Sequence, residues 1–393
     1  MAFRILSLDG GGIRGVIAAT MLAAIEKKLN QPLNKYFDLI AGTSTGSIIA
    51  SGIAAGLSSQ AIIEIYKENG SIIFPYKSRF SWRRIPLLLK HGLSAPKFSH
   101  DGLATVLKDT LGNTKLLDIT EPLLLIVAYD TIAREPIVFK SWREDPSYGN
   151  VPLWEACLCS ASAPTFFPAH KLEKRINGTS ECANEDSITL CEEGSATNNI
   201  YNDTQIRITS GAGQGQTRTI KKYQGTKRQA FIDHPWEIIP DQTSSYSIKT
   251  IYSAIDGGIA ANNPSSCAVA EALTLGHKIE EISILSIGTG DLTRIIPFEK
   301  AQSWGLIQWA QPLIGVLLNA SSNVHEYITN KIIQERVLRL QFNLDKELTG
   351  KFLNDDIDDV SPENINNLIE AAEAYIQQPH MQAALDNFLQ NNQ

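Results

Sequence analysis

Three short stretches of this chain carry residue types whose spacing can do chemistry. In Gly42-Thr43-Ser44-Thr45-Gly46 a serine stands between glycines two residues to either side. An apolar run, Phe37-Asp38-Leu39-Ile40-Ala41, precedes it and a small-residue run over 47–55 follows. Strand, tight turn and helix form the setting of a nucleophile elbow, which lifts a serine hydroxyl clear of a sheet edge. Side chains flanking the serine would collide in such a turn, hence the glycines Gly42 and Gly46. The helix that follows aims its positive end and unpaired N–H groups at the same spot. A serine among Gly and Thr also reads as a plain turn, and the apolar flanks on both sides favour the nucleophile.

The second stretch is Asp9-Gly10-Gly11-Gly12-Ile13-Arg14-Gly15, between a strand over 3–8 and a helical run over 16–26. It satisfies G-x-G-x-x-G, the permissive pattern of a dinucleotide loop. That reading expects an acidic residue near the end of the second strand. Asp38 lies near its start, the end carries Ser44, and the Gly-Lys-Ser/Thr ending of a P-loop is missing. The other use of such a loop is an oxyanion hole. The N–H groups of Gly10, Gly11 and Gly12 could approach a developing alkoxide unobstructed, each such donor being worth roughly 3–4 kcal/mol. Neighbouring parallel strands would deliver both loops to one sheet edge. Arg14 could brace this loop, attract an anionic head group or simply face solvent. The third stretch is Asp256-Gly257-Gly258, after a strand over 250–255. Asp-Gly is most often a turn, but beside the other two motifs Asp256 becomes a candidate catalytic carboxylate.

The elements that must position these residues alternate strand and helix, as in an α/β protein with a parallel sheet. Further strands are expected over 122–130, 136–141, 282–287 and 336–342. Helices are expected over 59–69, 99–111, 153–163, 304–320 and 324–334, with a last one opened by Ser361-Pro362-Glu363, serine as cap and proline at the first turn. From Glu173 the composition turns to Asn, Thr, Gly and Ser, with four short strand patterns between turns. The chain therefore divides into a discontinuous α/β domain, 1–172 and 250–393, and an inserted β-rich module, 173–249. Part of that module resembles short β modules of phage tail and virion proteins.

Of the 393 residues, 43% are hydrophobic and 20% charged, enough for a sizeable core. The net charge of −7 argues against bulk nucleic-acid binding. No stretch reaches the roughly 18–20 apolar residues of a spanning helix, and no secretory signal is visible, so a cytoplasmic setting is expected. The five cysteines show no metal-type spacing, and Cys157 and Cys159 read as buried small hydrophobes. One segment stands apart. Residues 74–98 carry Lys77, Arg79, Arg83, Arg84, Lys90 and Lys97, no acidic residue, and Phe74, Tyr76, Phe80, Trp82, Ile85 and Leu87 to Leu89 between them. This suits peripheral contact with an anionic membrane surface. The competing reading, a segment packing its apolar residues onto the body, is favoured because apolar residues usually face inward. Asp355, Asp356, Asp358 and Asp359 read as a solvated loop without EF-hand spacing.

The three motifs, in this order and each after a strand, resemble the patatin-like phospholipase family. The stretch Ser160-Ala161-Ser162-Ala163-Pro164-Thr165-Phe166-Phe167-Pro168 is similar to a segment of that family. The resemblance covers Phe3 to about Leu172 and Thr250 to about Gly290 well, and the C-terminal third loosely; the inserted module departs from it. It implies a three-layer α/β/α fold and a lipid acyl hydrolase of phospholipase A type acting on glycerolipid at a membrane surface. Ser44 would be nucleophile and Asp256 its base. Gly10, Gly11 and Gly12 would form the oxyanion hole, and Arg14, Gly15, Gly42, Gly46, Gly257 and Gly258 would support them. No metal or organic cofactor is implied, and no oligomeric state. Two other readings stay open: an α/β-hydrolase triad using His277 or His325, and a non-catalytic lipid- or nucleotide-binding protein on the same scaffold.

Overall fold

Strands buried on both faces read as continuous apolar runs, and this rule governs the centre of the protein. In the computed structural model, which describes residues 2–78, 80–92, 94–143, 148, 150–192, 194–196, 198–309 and 312–392, Phe3–Leu8 pairs in parallel with Leu39–Thr43 on one side and Ile282–Ile287 on the other. Leu123–Asp130 and Val337–Leu340 extend the parallel sheet at its two ends. The face carrying Phe3, Ile5, Leu39, Ala41, Leu125 and Val127 is covered by Ala268, Val269 and Ala272 of helix Ser265–Thr274 and by Ile333 at the end of Pro312–Ile333. Helices Thr45–Ala54 and Leu153–Ser160 pack on the sheet as well. The result is a three-layer α/β/α arrangement.

The register brings the motifs together. Leu8 pairs with Gly42, so the glycine loop and the serine turn leave the sheet at the same edge. Leu39–Thr43 runs along Leu123–Asp130 as far as the Thr43–Val127 pair. The next rung, Ala128, pairs with Asp256, the last residue of the strand Ser245–Asp256, which arrives antiparallel. The opposite edge of Leu123–Asp130 is occupied over the same residues by Glu135–Lys140, so Asp256 must lie on the serine's side. Where one strand turns away into the elbow, another ends in a carboxylate.

The chain divides into two compact units: Met1–Trp142, Pro152–His170 and Ala254–Gln393, and Arg143–Val151 with Lys171–Ser253. The second unit is built of short antiparallel strands, among them Gln205–Ser210, Thr217–Gln224 and Gln229–Ile232, around a core of its own that includes Ile206, Ile220, Tyr223 and Tyr246. One helix boundary differs from expectation. Helices over 304–320 and 324–334 prove to be a four-residue helix, Leu306–Trp309, and one of 22 residues, Pro312–Ile333. Ser321-Ser322-Asn323 looked like a break. The serines instead face inward: Ser321 Oγ accepts the Asn262 N–H at 3.0 Å, and Ser322 Oγ donates to Asp9 at 2.9 Å.

Candidate active site

Ser44 adopts φ 53° and ψ −125°, left-handed for a non-glycine residue, immediately before helix Thr45–Ala54. Such backbone costs of order 1–3 kcal/mol and persists only where its surroundings over-determine it. A Cβ on Gly42 would lie 2.3 Å from the Gly46 carbonyl oxygen, and one on Gly46 would lie 2.2 Å from that of Leu8. The turn closes only because both are glycine. Ser160 Oγ accepts the Ser44 N–H at 2.8 Å and donates to Val127 O at 2.5 Å. Ser47 Oγ donates to the Ser44 carbonyl at 2.6 Å. The serine is thus held on both sides, and its own N–H is engaged.

The Ser44 hydroxyl donates to Asp256 Oδ2 at 2.7 Å. Asp256 is 2% exposed, with no ion-pair partner among the described residues. Its other oxygen accepts the Gly258 N–H at 2.7 Å, and its own N–H donates to Ser162 O at 3.0 Å. Burial pushes the Asp256 carboxyl up to about 6, against the opposing pull of the Gly258 N–H and the Ser44 hydroxyl. A carboxylate that is usually a feeble base is here raised toward neutrality.

The glycine loop is anchored by Asp9, which ends the first strand. Arg339 grips Asp9 with two nitrogens, at 2.9 and 2.6 Å, and Ser322 adds a third hydrogen bond. Arg14 is buried. Its guanidinium donates to the carbonyls of Gly11 and Gly290, both at 3.3 Å. Of the three roles open to it, bracing the loop is the one the geometry fits, and burial holds its pKa down to about 10. The three glycines are not equivalent. Gly10 N–H donates to the Asn262 carbonyl at 3.1 Å, so it is not free for an oxyanion, contrary to the sequence expectation. The N–H groups of Gly11 and Gly12 have no protein partner among the described residues, and both glycines line the pocket above Ser44.

That pocket is walled by Ile48, Tyr66, Phe74, Leu103, Phe167 and Leu318 and reaches Ser44, Asp256 and Asn262. Both candidate triad histidines are excluded by their positions. His277 stacks on Phe3 at 3.9 Å, where the first strand begins, at the sheet edge opposite Ser44. His325 is held by Ser266 and by the Ala260 carbonyl. The histidine that does lie near the site is His100, whose Nε2 meets Ser162 Oγ at 3.1 Å; burial holds its pKa down to about 4, so it is neutral. Asp9, Ser160, Ser162, Asn262, Ser322 and Arg339 had no role assigned from sequence. Asp9 and the two serines lie inside motifs that could have flagged them; Arg339 has no local signal.

The basic segment departs from both of its readings. Lys77 pairs with Asp359 at 3.0 Å, Lys97 with Asp358, and Arg84 is buried against the carbonyls of Ala95 and Pro96. Arg79 lies outside the described residues. The apolar residues, expected to pack inward, are in part outside: Phe80 is 98% exposed, Leu89 83% and Trp82 76%. The acidic loop is correspondingly a set of ion pairs, completed by Arg294 to Asp355 at 2.6 Å. Its Ile357 accepts the Ile13 N–H at 2.9 Å beside the glycine loop and lines the pocket.

Comparison with known proteins points to one family. Residues 6–199 match the model of the family described as patatin-like phospholipase. Patatin-like protein 1 of Arabidopsis thaliana is 28% identical over 407 residues, covering 97% of this chain and 83% of that protein. Patatin-like protein 2 of Oryza sativa subsp. indica is 26% identical over 409 residues, covering 94% and 82%. The chain belongs to the patatin-like phospholipase family. This membership supports lipid acyl hydrolysis as the activity class. Among solved structures, human GIVD cytosolic phospholipase A2 aligns with a TM-score of 0.43 at 12% identity, over 99% of this chain and 60% of that protein, and no conclusion rests on it. Among the described residues no helix is long and apolar enough to cross a membrane.

The raised carboxyl has a stability consequence. Between the unfolded value near 4 and the folded value near 6, the native state binds more protons than the unfolded one, so stability falls as pH rises through that window. Asp256→Asn, which keeps the shape and can still accept from Gly258, should be more stable than wild type by about 2–3 kcal/mol at pH 8 and by little at pH 4. Urea unfolding across pH 4–8 checks this. Parallel stability curves for the two proteins would mean that the Asp256 carboxyl is not raised.

Proposed function

We propose that this protein is a phospholipase A-type lipid acyl hydrolase that works through a Ser44–Asp256 dyad. The observation that carries the reading is the 2.7 Å hydrogen bond from the Ser44 hydroxyl to a buried, unpaired carboxylate at the end of an apolar pocket. Ionised Asp256 takes the serine proton as Ser44 Oγ attacks the acyl carbonyl. The electron pair moves to the carbonyl oxygen, where the N–H groups of Gly11 and Gly12 stabilise it. Collapse of the tetrahedral intermediate expels the alcohol, which receives the proton from Asp256, and leaves the acyl group on Ser44. Asp256 then accepts a proton from water, whose oxygen attacks the ester. Collapse of the second intermediate releases the fatty acid, and the proton returns to Ser44. The pocket wall offers an acyl chain aromatic and aliphatic contact and few polar partners, as a lipid tail requires. No step calls for a metal or organic cofactor.

The substrate class we infer is a glycerolipid presented at a membrane surface. Support comes from Phe80, Trp82 and Leu89, exposed on the segment whose first residue, Phe74, lines the pocket. With Lys77 and Lys97 paired and Arg84 buried, Arg83 and Lys90 are the described cations of the segment that are exposed and have no ion-pair partner among the described residues. Apolar insertion, more than attraction to anionic head groups, is then the main contribution to peripheral binding.

Two experiments test these readings. A fluorophosphonate probe should label wild type and not Ser44→Ala, and the acid limb of kcat/KM on a soluble ester should have its midpoint near about 6, the ionised form being active. An unlabelled wild-type protein, or a limb near the ordinary carboxylate value, contradicts the dyad. For the surface, Trp82→Ala/Leu89→Ala should lose about 10²-fold in partitioning onto phosphatidylcholine vesicles, the scale of withdrawing two large apolar side chains. Its hydrolysis of a soluble ester should be unchanged. Undiminished flotation of the double variant would rule this surface out.

A further inference from the structure

The Asn262-Asn263 pair sets a satisfied amide beside an unsatisfied one. Asn263 is fully buried and complete: its Oδ1 accepts from Ser7 Oγ at 3.3 Å and from the Ser265 N–H at 3.0 Å, and its Nδ2 donates to Ser286 Oγ at 3.1 Å. Asn262 is 8% exposed, yet its Oδ1 is buried without a hydrogen-bond partner among the described residues. Its backbone is pinned on both sides, N–H to Ser321 Oγ and carbonyl to the Gly10 N–H. The side chain is therefore held in place with nothing to bind. An orphaned buried amide costs about 1–3 kcal/mol, which a purely structural asparagine would not carry.

Its position explains the vacancy. A Cβ placed on Gly10 would meet Asn262 Oδ1 at 2.4 Å and Ser44 Cβ at 3.0 Å. One placed on Gly258 would meet Asn262 Oδ1 at 2.8 Å and Asp256 Oδ1 at 3.0 Å. The amide thus crowds the same points as the nucleophile and its base, and it lines the pocket. It also stands where a donor is missing, because the Asn262 carbonyl occupies the Gly10 N–H.

We infer that Asn262 is a further catalytic residue, whose side-chain amide, turned to present Nδ2–H, joins Gly11 and Gly12 in binding the oxyanion. The inference rests on the Ser44 hydrolase reading and deepens it. An amide unpaired in the free enzyme and paired to the developing charge is stronger in the transition state than in the ground state, the condition for raising kcat rather than lowering KM.

The test uses the whole protein. Asn262→Ala and Asn262→Leu should each lower kcat on a soluble ester by about 10²–10³-fold, the scale of losing one oxyanion donor, with KM within about threefold. Their acid limb should keep the wild-type midpoint, and their melting temperatures should equal or exceed wild type, because the orphaned group is gone. In a crystal structure of the wild-type fluorophosphonate adduct, Nδ2 should lie about 2.7–3.1 Å from the phosphoryl oxygen. A kcat within about threefold of wild type overturns the inference. So does a lost rate that returns at a shifted pH, which would mean the amide acts through Asp256. So does an adduct with Nδ2 beyond hydrogen-bond reach, an outcome that needs no variant to fold. Failure of the wild-type protein to label overturns the hydrolase reading itself, and is thereby distinguished from labelled protein indifferent to Asn262.

Discussion

Asp256 is a buried carboxylate with no cation paired to it among the described residues, and the rest of the site follows from that condition. In water such a group is far too weak to take a proton from serine at neutral pH. Burial disfavours the ion and so strengthens it as a base, which is what the proposed two-residue dyad needs in place of a histidine. The same burial would neutralise the group altogether if nothing opposed it. One backbone N–H, from Gly258, and the serine hydroxyl itself hold it at an intermediate value. More donors or an arginine would lower its basicity, and fewer would leave it protonated. The glycine pair after Asp256 belongs to this balance: a Cβ on Gly257 would collide with Val127 O at 2.0 Å.

The proposed dyad joins residues 212 positions apart, so the precision of its hydrogen bond depends on what pins the loops. The serine turn is strained and held locally, through Ser47 and Ser160. The glycine loop is held remotely, by the Asp9–Arg339 pair across 330 positions. A buried ion pair is weak evidence of stability, since desolvation offsets much of the attraction, but removing one partner typically costs 3–5 kcal/mol. Its consequence here is geometric. Bidentate grip and a serine hydrogen bond fix the last residue before three glycines that could otherwise take many conformations. The rigidity lies beneath the loop, and the N–H groups of Gly11 and Gly12 stay without a protein partner among the described residues.

This difference also decides what was legible in the sequence. Ser44, Asp256 and the glycine loop could be read because each is a local pattern at the end of a strand, and a parallel sheet brings such ends to one edge. The mixed α/β fold with its largely parallel sheet followed from periodicity. What could not be read depended on partners distant in the chain. Nothing near Arg339 marks it as the anchor of Asp9. Nothing near Gly10 says that its N–H is already engaged. Ser321 and Ser322 resembled a helix break because polar residues on a buried helix face are indistinguishable, in sequence, from a loop. Asn262 stood in an Asn-Asn-Pro stretch that reads as a turn, and only the contrast with Asn263 separates the structural amide from the unsatisfied one.

The segment over 74–98 shows the same limitation with respect to charge. Counted along the chain it is basic, and an anionic partner follows naturally. Counted in space, Lys77 and Lys97 are paired by Asp359 and Asp358, from a loop more than 260 residues later that also supplies Ile357 to the pocket wall. The loop binds Arg294 as well, next to the exposed Ile295. Three cations and the acidic loop thus form one network beside Phe74 and Ile357 of the pocket wall, while Phe80, Trp82, Leu89 and Ile295 stay exposed. Ion pairs this close lose little to added salt where they are buried, as Lys97–Asp358 largely is, and more where they are exposed, as Lys77 is. Charge at this surface is spent on holding the segment to the acidic loop, and the apolar side chains are what it leaves exposed.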